Sequence, residues 1–171
     1  MTKLTHLDEQ GRARMVDVSG KDATHRTATA RAEVLLSPEI LAVVLDGDVP
    51  KGDVFAVARI AGITGGKKTP ELIPLTHPIG IDSLKVEVVP DKDLPGIRIE
   101  ATATTTGKTG VEMEAMTAVS VAALTVYDML KSLEKGIRVS DVRLIHKAGG
   151  KSGEWRSEEP GARSQEPGED F

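Results

Sequence analysis

The stretch ATARAEV, residues 28–34, decides the fold class of this 171-residue chain. Ala28, Ala30, Ala32 and Val34 alternate with Thr29, Arg31 and Glu33. That period of two puts small apolar side chains on one face of a strand and polar ones on the other. A half-buried strand needs a second layer, and the following residues supply helices. Ser37-Pro38 reads as an N-cap and first-turn proline for a short helix ending near Asp46-Gly47. Asp53 opens a second helix with Val54, Val57, Ala58 and Ala61 on one side, expected to stop at Gly65-Gly66. Leu84, Val86 and Val88 then alternate, and across residues 90–96 they are answered by Ile97, Ile99, Ala101 and Ala103, the pattern of a hairpin. An alanine-, leucine- and methionine-rich helix is expected over residues 111–131, ending before Gly136, and residues 139–147 read as a last strand. The order β-α-α-β-β-α-β is that of an α+β domain: a ferredoxin-like antiparallel sheet, helices on one face and an extended N-terminal arm.

Outward from this body the composition changes. Residues 151–171 hold three basic and six acidic side chains, two prolines and almost nothing apolar. Such a segment buries too little to offset its ordering entropy, and it is expected to be a disordered acidic tail. Residues 1–27 are mixed and polar and read as the arm, leaving 28–150 as the ferredoxin-like catalytic domain. The whole chain is 39% hydrophobic and 28% charged, a globular composition. No run approaches eighteen apolar residues and no leader pattern opens the chain, so the expectation is a cytoplasmic protein without a membrane partner. The absence of cysteine excludes disulfides, zinc–thiolate and iron–sulfur sites and a thiol nucleophile. With four aromatic residues and a net charge of −4, neither a base-stacking platform nor a polyanion footprint is expected, hence no nucleic-acid partner.

Several clusters could carry chemistry. Residues 62–77, GITGGKKTPELIPLTH, place Gly65, Gly66, Lys67, Lys68 and His77 between a helix and a strand, where loops often hold functional groups. A phosphate-loop match fails, because Lys68 follows Gly66-Lys67 and because Pro70 and Pro74 argue against a helix starting there. Gly107-Lys108-Thr109-Gly110 precedes the long helix, which suits either anion binding at a helix N-terminus or a plain connecting turn. Glu112 and Glu114 share a face if extended and diverge if helical, where acids in a first turn need no further reason. Asp128 and Lys131, three apart, are neighbours on a helix: a surface ion pair or an acid/base pair. His6, His25, His77 and His146 have no metal-ligand spacing, so no metal site is expected. Dispersed basic residues around the body, among them Lys21, Arg26, Lys51, Lys67, Lys108, Lys131 and Lys147, suit a small polyphosphate.

The same residues carry a resemblance. Met15-Val16-Asp17-Val18-Ser19 with Lys21 and Thr24-His25-Arg26, Lys51-Gly52-Asp53, Ala61-Gly62-Ile63 through Lys67-Lys68-Thr69, and Ile73-Pro74-Leu75-Thr76-His77-Pro78 follow one another. Thr109-Gly110-Val111-Glu112-Met113-Glu114-Ala115, Tyr127-Asp128-Met129 with Lys131, and Leu144 with Lys147-Gly149-Gly150-Lys151-Ser152-Gly153 complete the series. In this order, over roughly residues 5–153, the chain resembles the cyclic pyranopterin monophosphate synthase (MoaC) family of molybdenum cofactor biosynthesis.

The resemblance implies a phosphorus–oxygen lyase that converts 3′,8-cyclised dihydroguanosine triphosphate to cyclic pyranopterin monophosphate and releases diphosphate. It implies a homohexamer, a trimer of dimers, with active sites at dimer interfaces. It also implies no tightly bound cofactor, a magnesium ion at most accompanying the substrate triphosphate. Carried over residue by residue, the catalytic positions are Asp128, Lys131, Lys51, His77 and Glu112. The substrate-contacting positions are Leu75, Thr76, His77, Met113 and Glu114, with Lys21, Arg26, Lys67 and Lys147 near the phosphates. Thr76 stands where many relatives have cysteine. Lys131 is the expected principal general acid/base, its pKa lowered toward neutrality by burial near other lysines. The competing expectation is a guanine-nucleotide-binding regulatory subunit without catalysis, which would use the same lysines without Asp128.

Overall fold

The alternation at residues 28–34 extends further than its apolar core. In the computed structural model, which describes residues 10–151 and 153–158, β1 spans Thr24–Leu35. The first strand therefore begins inside the stretch read as arm. It lies between two neighbours. β3 (Gly96–Gly107) runs antiparallel on one side, with Ala28 opposite Ala103, Ala30 opposite Ala101, Ala32 opposite Ile99 and Val34 opposite Ile97. All eight of these side chains are fully buried, so the register is held by the one arrangement that puts every apolar residue on the covered face. β4 (Arg138–Ala148) pairs on the other side, with register shifts after Thr29 and after Arg31. β2 (Ser83–Asp91) forms the hairpin with β3, and its turn is closed by Asp91 Oδ1 accepting from the amides of Asp93 and Leu94.

The helices cover one face of this sheet. α1 (Pro38–Asp46) starts as read, with the Ser37 hydroxyl accepting from the Ile40 amide. α2 (Val54–Lys67) is capped by Asp53, whose carboxylate accepts from Ala56. α4 (Glu112–Leu130) lies across β1, β3 and β4 and beside α2, which also touches β2. By length and composition α4 could cross a membrane. Here Ala115, Ala118, Val119, Ala122, Ala123 and Val126 are fully buried against the sheet, so it is the central helix of the core. The strand order β2-β3-β1-β4 is that of the split βαβ arrangement, all pairs antiparallel. The α+β expectation is borne out.

Three local expectations are corrected. α2 does not stop at Gly65-Gly66 but runs through both to Lys67. These glycines are present because α4 lies too close for a side chain: a Cβ on Gly65 would sit 2.7 Å from Val121 Cβ, and one on Gly66 would sit 3.0 Å from the Glu114 carbonyl oxygen. Second, a one-turn helix α3 (Thr69–Leu72) forms where prolines argued against one. Pro70 sits in its first turn, where a missing N–H breaks no helical bond, and Thr69 donates its hydroxyl to the Gly66 carbonyl. Third, the segment read as disordered begins with order. β5 (Trp155–Arg156) pairs with β4, Arg156 opposite His146 and Trp155 opposite Lys147. Glu154 fastens it, receiving His146 Nε2 at 3.0 Å and Arg156 Nη2 at 2.8 Å. His6, the first nine residues of the expected arm and residues 159–171 of the expected tail lie outside the described residues.

Candidate active site

The N-terminal end of α4 opens onto a cleft. Val111, at the cap position, offers no side-chain cap, so the helix presents its positive dipole end here. Glu112 and Glu114 are helical, which settles the choice between the two geometries read from sequence. The β3–α4 loop is tied down on both sides. Arg26 Nε donates to the Gly107 carbonyl at 3.0 Å, and Lys108 Nζ donates to the Ser19 carbonyl at 2.7 Å. The second bond draws residues 16–21 of the arm over the cleft. Within that segment Ser19 donates its amide to Asp17 at 2.8 Å, which holds the Asp17 carboxyl below its usual range.

The main cavity has a volume of about 320 Å³, with walls that include Val16, Val18, Leu75 and Met113. Its polar groups are Lys21, Thr76, His77, Thr109, Glu112 and Glu114. Apolar walls around a few polar groups are the usual make-up of a small-molecule pocket. His77 Nε2 lies 2.6 Å from the Val16 carbonyl oxygen. A carbonyl only accepts, so Nε2 carries a proton and the neutral ring keeps Nδ1 as its acceptor. Thr76 donates its hydroxyl to the Ile73 carbonyl at 2.8 Å, which leaves that oxygen only as an acceptor. The hydrogen of this side chain is therefore spent inside the loop. Glu114 is 3% exposed, and burial pushes its carboxyl above the usual range, with the neighbouring Glu112 acting in the same direction.

Two further hollows join this cavity. One, of about 90 Å³, shares Gly110 and Glu112 with it and adds Arg26 and Lys147. Lys147 Nζ bonds Glu112 Oε1 at 3.1 Å. The other shares Lys21 with the main cavity and Arg26 with the small hollow. Lys21, Arg26 and Lys147 thus stand in series around a pocket containing an imidazole and two carboxyls. Lys67 is not among the residues lining any of these hollows; it is exposed in the last turn of α2.

The remaining expected site residues lie elsewhere. Asp128 receives Lys131 Nζ on Oδ1 at 2.7 Å and Lys51 Nζ on Oδ2 at 2.9 Å. Lys51 also donates to the Asp128 carbonyl at 2.8 Å. This triad sits at the C-terminal end of α4, and sixteen residues at 1.5 Å each separate it from Glu112 by about 24 Å. One chain therefore does not bring Lys131 to His77 and Glu112. The expected depression of Lys131 is also corrected. The hydrogen bond and charge of Asp128 raise the Lys131 pKa and outweigh the opposing effect of burial. Asp128 in turn is held at about 2 by its bonds to Lys131 and Lys51.

Sequence reading did not assign Val16, Val18, Thr24, Gly150 or Lys151 to the cleft. The alternation of Val16 and Val18 was the available signal for the first two, masked by their place in a segment read as an arm.

Similarity to known proteins is extensive. A family model described as the MoaC family matches residues 15–150. A cyclic pyranopterin monophosphate synthase of Dinoroseobacter shibae is 59% identical over 158 residues, 92% of this chain and all of the relative. Those of Pelotomaculum thermopropionicum and Thermomicrobium roseum are 58% and 55% identical, covering 90% and 95% of this chain and 90% and 98% of their own lengths. With a family model spanning β1 to β4 and the whole of α4, the chain belongs to the MoaC family.

Proposed function

We propose that this chain converts 3′,8-cyclised dihydroguanosine triphosphate to cyclic pyranopterin monophosphate, releasing diphosphate. The enzyme is a cyclic pyranopterin monophosphate synthase of molybdenum cofactor biosynthesis, the activity its relatives carry at 50–59% identity over at least 90% of the chain. The observation that carries the reading is the adjacency of two environments in one cleft. A pocket between Val16, Leu75 and Met113 suits a flat purine-derived ring, and Lys21, Arg26 and Lys147 beside it suit its phosphates.

Rebuilding a purine into a pterin requires protons to move at several nitrogens and oxygens. His77, with Nδ1 as acceptor, and Glu112 serve as bases, while Glu114, whose carboxyl burial holds above its usual range, hydrogen-bonds the ring. Lys131 enters as an ammonium and acts as the principal acid, and its neutral amine, oriented by the Asp128 carboxylate, takes a proton back from the ring in a later step. In the closing step a ring hydroxyl attacks the innermost phosphorus. The new O–P bond replaces the bond to the outer phosphates, which leave as diphosphate with the electron pair. Lys147 and Arg26 stabilise the charge that develops.

For Lys131 to reach the ring, the triad of one subunit must complete the cleft of another. We therefore place each active site at the interface of a dimer, within a trimer of dimers. Among the described residues no group of three or more His, Asp or Glu is arranged to hold a metal; a magnesium ion accompanying the substrate would be carried by its phosphates. The enzyme is assigned to the cytoplasm, where nucleoside triphosphates are available. Incubation of purified protein with the cyclised triphosphate should yield diphosphate and, after oxidation, a fluorescent pterin. Tight binding without either product would instead favour a noncatalytic nucleotide-binding subunit.

A further inference from the structure

We propose that residues 16–21 form a strap that closes the cleft, and that Lys108, which latches it, is a positioning residue for His77. The strap is shaped by its own bonds. Asp17 Oδ1 accepts from the Ser19 amide at 2.8 Å and the Val18 carbonyl accepts from the Lys21 amide at 3.1 Å, two successive turns that let the segment move as one piece. Val16 and Val18 are half-buried along the cavity, while Asp17, Ser19 and Gly20 are exposed. Two hydrogen bonds fasten the strap to the body, both donated by body side chains to strap carbonyls: His77 Nε2 to Val16 at 2.6 Å and Lys108 Nζ to Ser19 at 2.7 Å. Lys108 lines none of the three hollows of the cleft. The lysine of Gly107-Lys108-Thr109-Gly110, which suited anion binding in the sequence, is engaged by the strap instead.

The opposite wall is fixed. Met113 and Glu114 belong to the central helix of the core, and the segment that follows His77 is tied to β3. There the Asp82 amide donates to the Thr104 carbonyl at 2.9 Å, and the buried Thr105 hydroxyl donates to the Gly80 carbonyl at 2.6 Å. The strap is therefore the wall that can leave to admit a ligand. Lys108 is set on a held backbone, since Arg26 Nε donates to the Gly107 carbonyl at 3.0 Å. Its charge also acts on the strap's Asp17, whose carboxyl is lowered first by the bonds of Ser19 and further by Lys108. Closure has a chemical consequence at His77. The Val16 carbonyl can only accept, so it fixes the ring's orientation with the proton on Nε2 and keeps Nδ1 as the atom that can take one. With the strap open the ring loses this partner. A base is thus set in place only when Val16 and Val18 cover the cavity.

The inference rests on the proposed reaction for the role of His77 as a base, whereas the strap itself is observable without turnover. In wild-type protein the His77 Nε2 proton should give an imidazole resonance protected from solvent exchange by Val16, identified by its absence from His77→Gln. Lys108→Met removes the latch, and Asp17→Ala loosens the turn within the strap. Both should broaden that resonance away and speed hydrogen exchange at the Lys21 amide. The kcat for the cyclised triphosphate should fall roughly tenfold in Lys108→Met, part of the 10²–10⁴-fold worth of a positioned base. Lys108→Arg, which keeps a donor for the Ser19 carbonyl, should restore both the resonance and kcat. A wild type without the resonance, its persistence in Lys108→Met, or its loss there with kcat unchanged overturns the proposal. A Lys108-dependent resonance in a protein that does not turn over the cyclised triphosphate would uphold the strap and refute the reaction.

Discussion

Glu114 and Asp128 are carboxyls on one helix, and their surroundings push them in opposite directions. Asp128 is held at about 2 by hydrogen bonds from Lys131 and Lys51. Its folded value lies below its unfolded one, so any stability it contributes is present above about 4 and lost as the pH falls toward 2. Its carboxyl carbon resonance should titrate near 2 in wild-type protein and at higher pH in Lys51→Met. For Glu114 the sign reverses. Burial raises its folded pKa, so its ionisation opposes folding and the cost grows as pH rises above the unfolded value. Glu114→Gln should therefore gain thermal stability relative to wild type between pH 4 and pH 8, and a pH-independent difference in melting temperature would refute the buried-acid description. Lys131, its pKa raised by Asp128, is an ammonium at neutral pH. Lys131→Ala should lower kcat by about 10²–10⁴-fold, the usual worth of a positioned proton donor, and near-normal turnover would remove it from the mechanism.

The close packing of α2 on α4 makes the glycines of α2 a second point of test. Gly65→Ala recovers about 1 kcal/mol of helix propensity. Its Cβ would meet Val121 at 2.6–2.7 Å, and overpacking of this kind costs about 1–3 kcal/mol. The expected net is a destabilisation of about 1 kcal/mol, read as a lower denaturant midpoint without a change in slope; an unchanged or higher midpoint would show that α4 yields. These same glycines mark where the sequence was legible and where it was not. Strand alternation at Ala28–x–Ala30–x–Ala32–x–Val34 and the caps Ser37 and Asp53 are local signals, and each identified its element. Gly65-Gly66 reads as a stop because glycine weakens a helix locally, whereas its reason lies on α4, about fifty residues away. Trp155-Arg156 was equally opaque. A two-residue strand has no period to read, and its hold comes from side chains of β4 and Glu154 rather than from its own apolar content.

In the single subunit the residues that the family resemblance names, Lys67 apart, fall into two groups at opposite ends of α4. The cleft gathers His77, Glu112, Met113 and Glu114 with Lys21, Arg26 and Lys147, while Lys51, Asp128 and Lys131 form an exposed triad about 24 Å away. The helix expected over residues 111–131 already separates Glu112 from Asp128, but no local reading could show that His77, Lys21, Arg26 and Lys147 gather at one end of it and Lys51 at the other. Proximity of both groups to one ligand then requires a second copy. Mixing two inactive variants, Lys131→Ala and His77→Ala, under conditions that allow subunits to exchange is the most direct test. If each site draws the triad from one subunit and the cleft from another, a mixed dimer regains one intact site and equal mixing should restore roughly a quarter of wild-type turnover. Activity no greater than that of the two variants assayed separately, in a preparation shown to contain mixed dimers, would contradict the shared site.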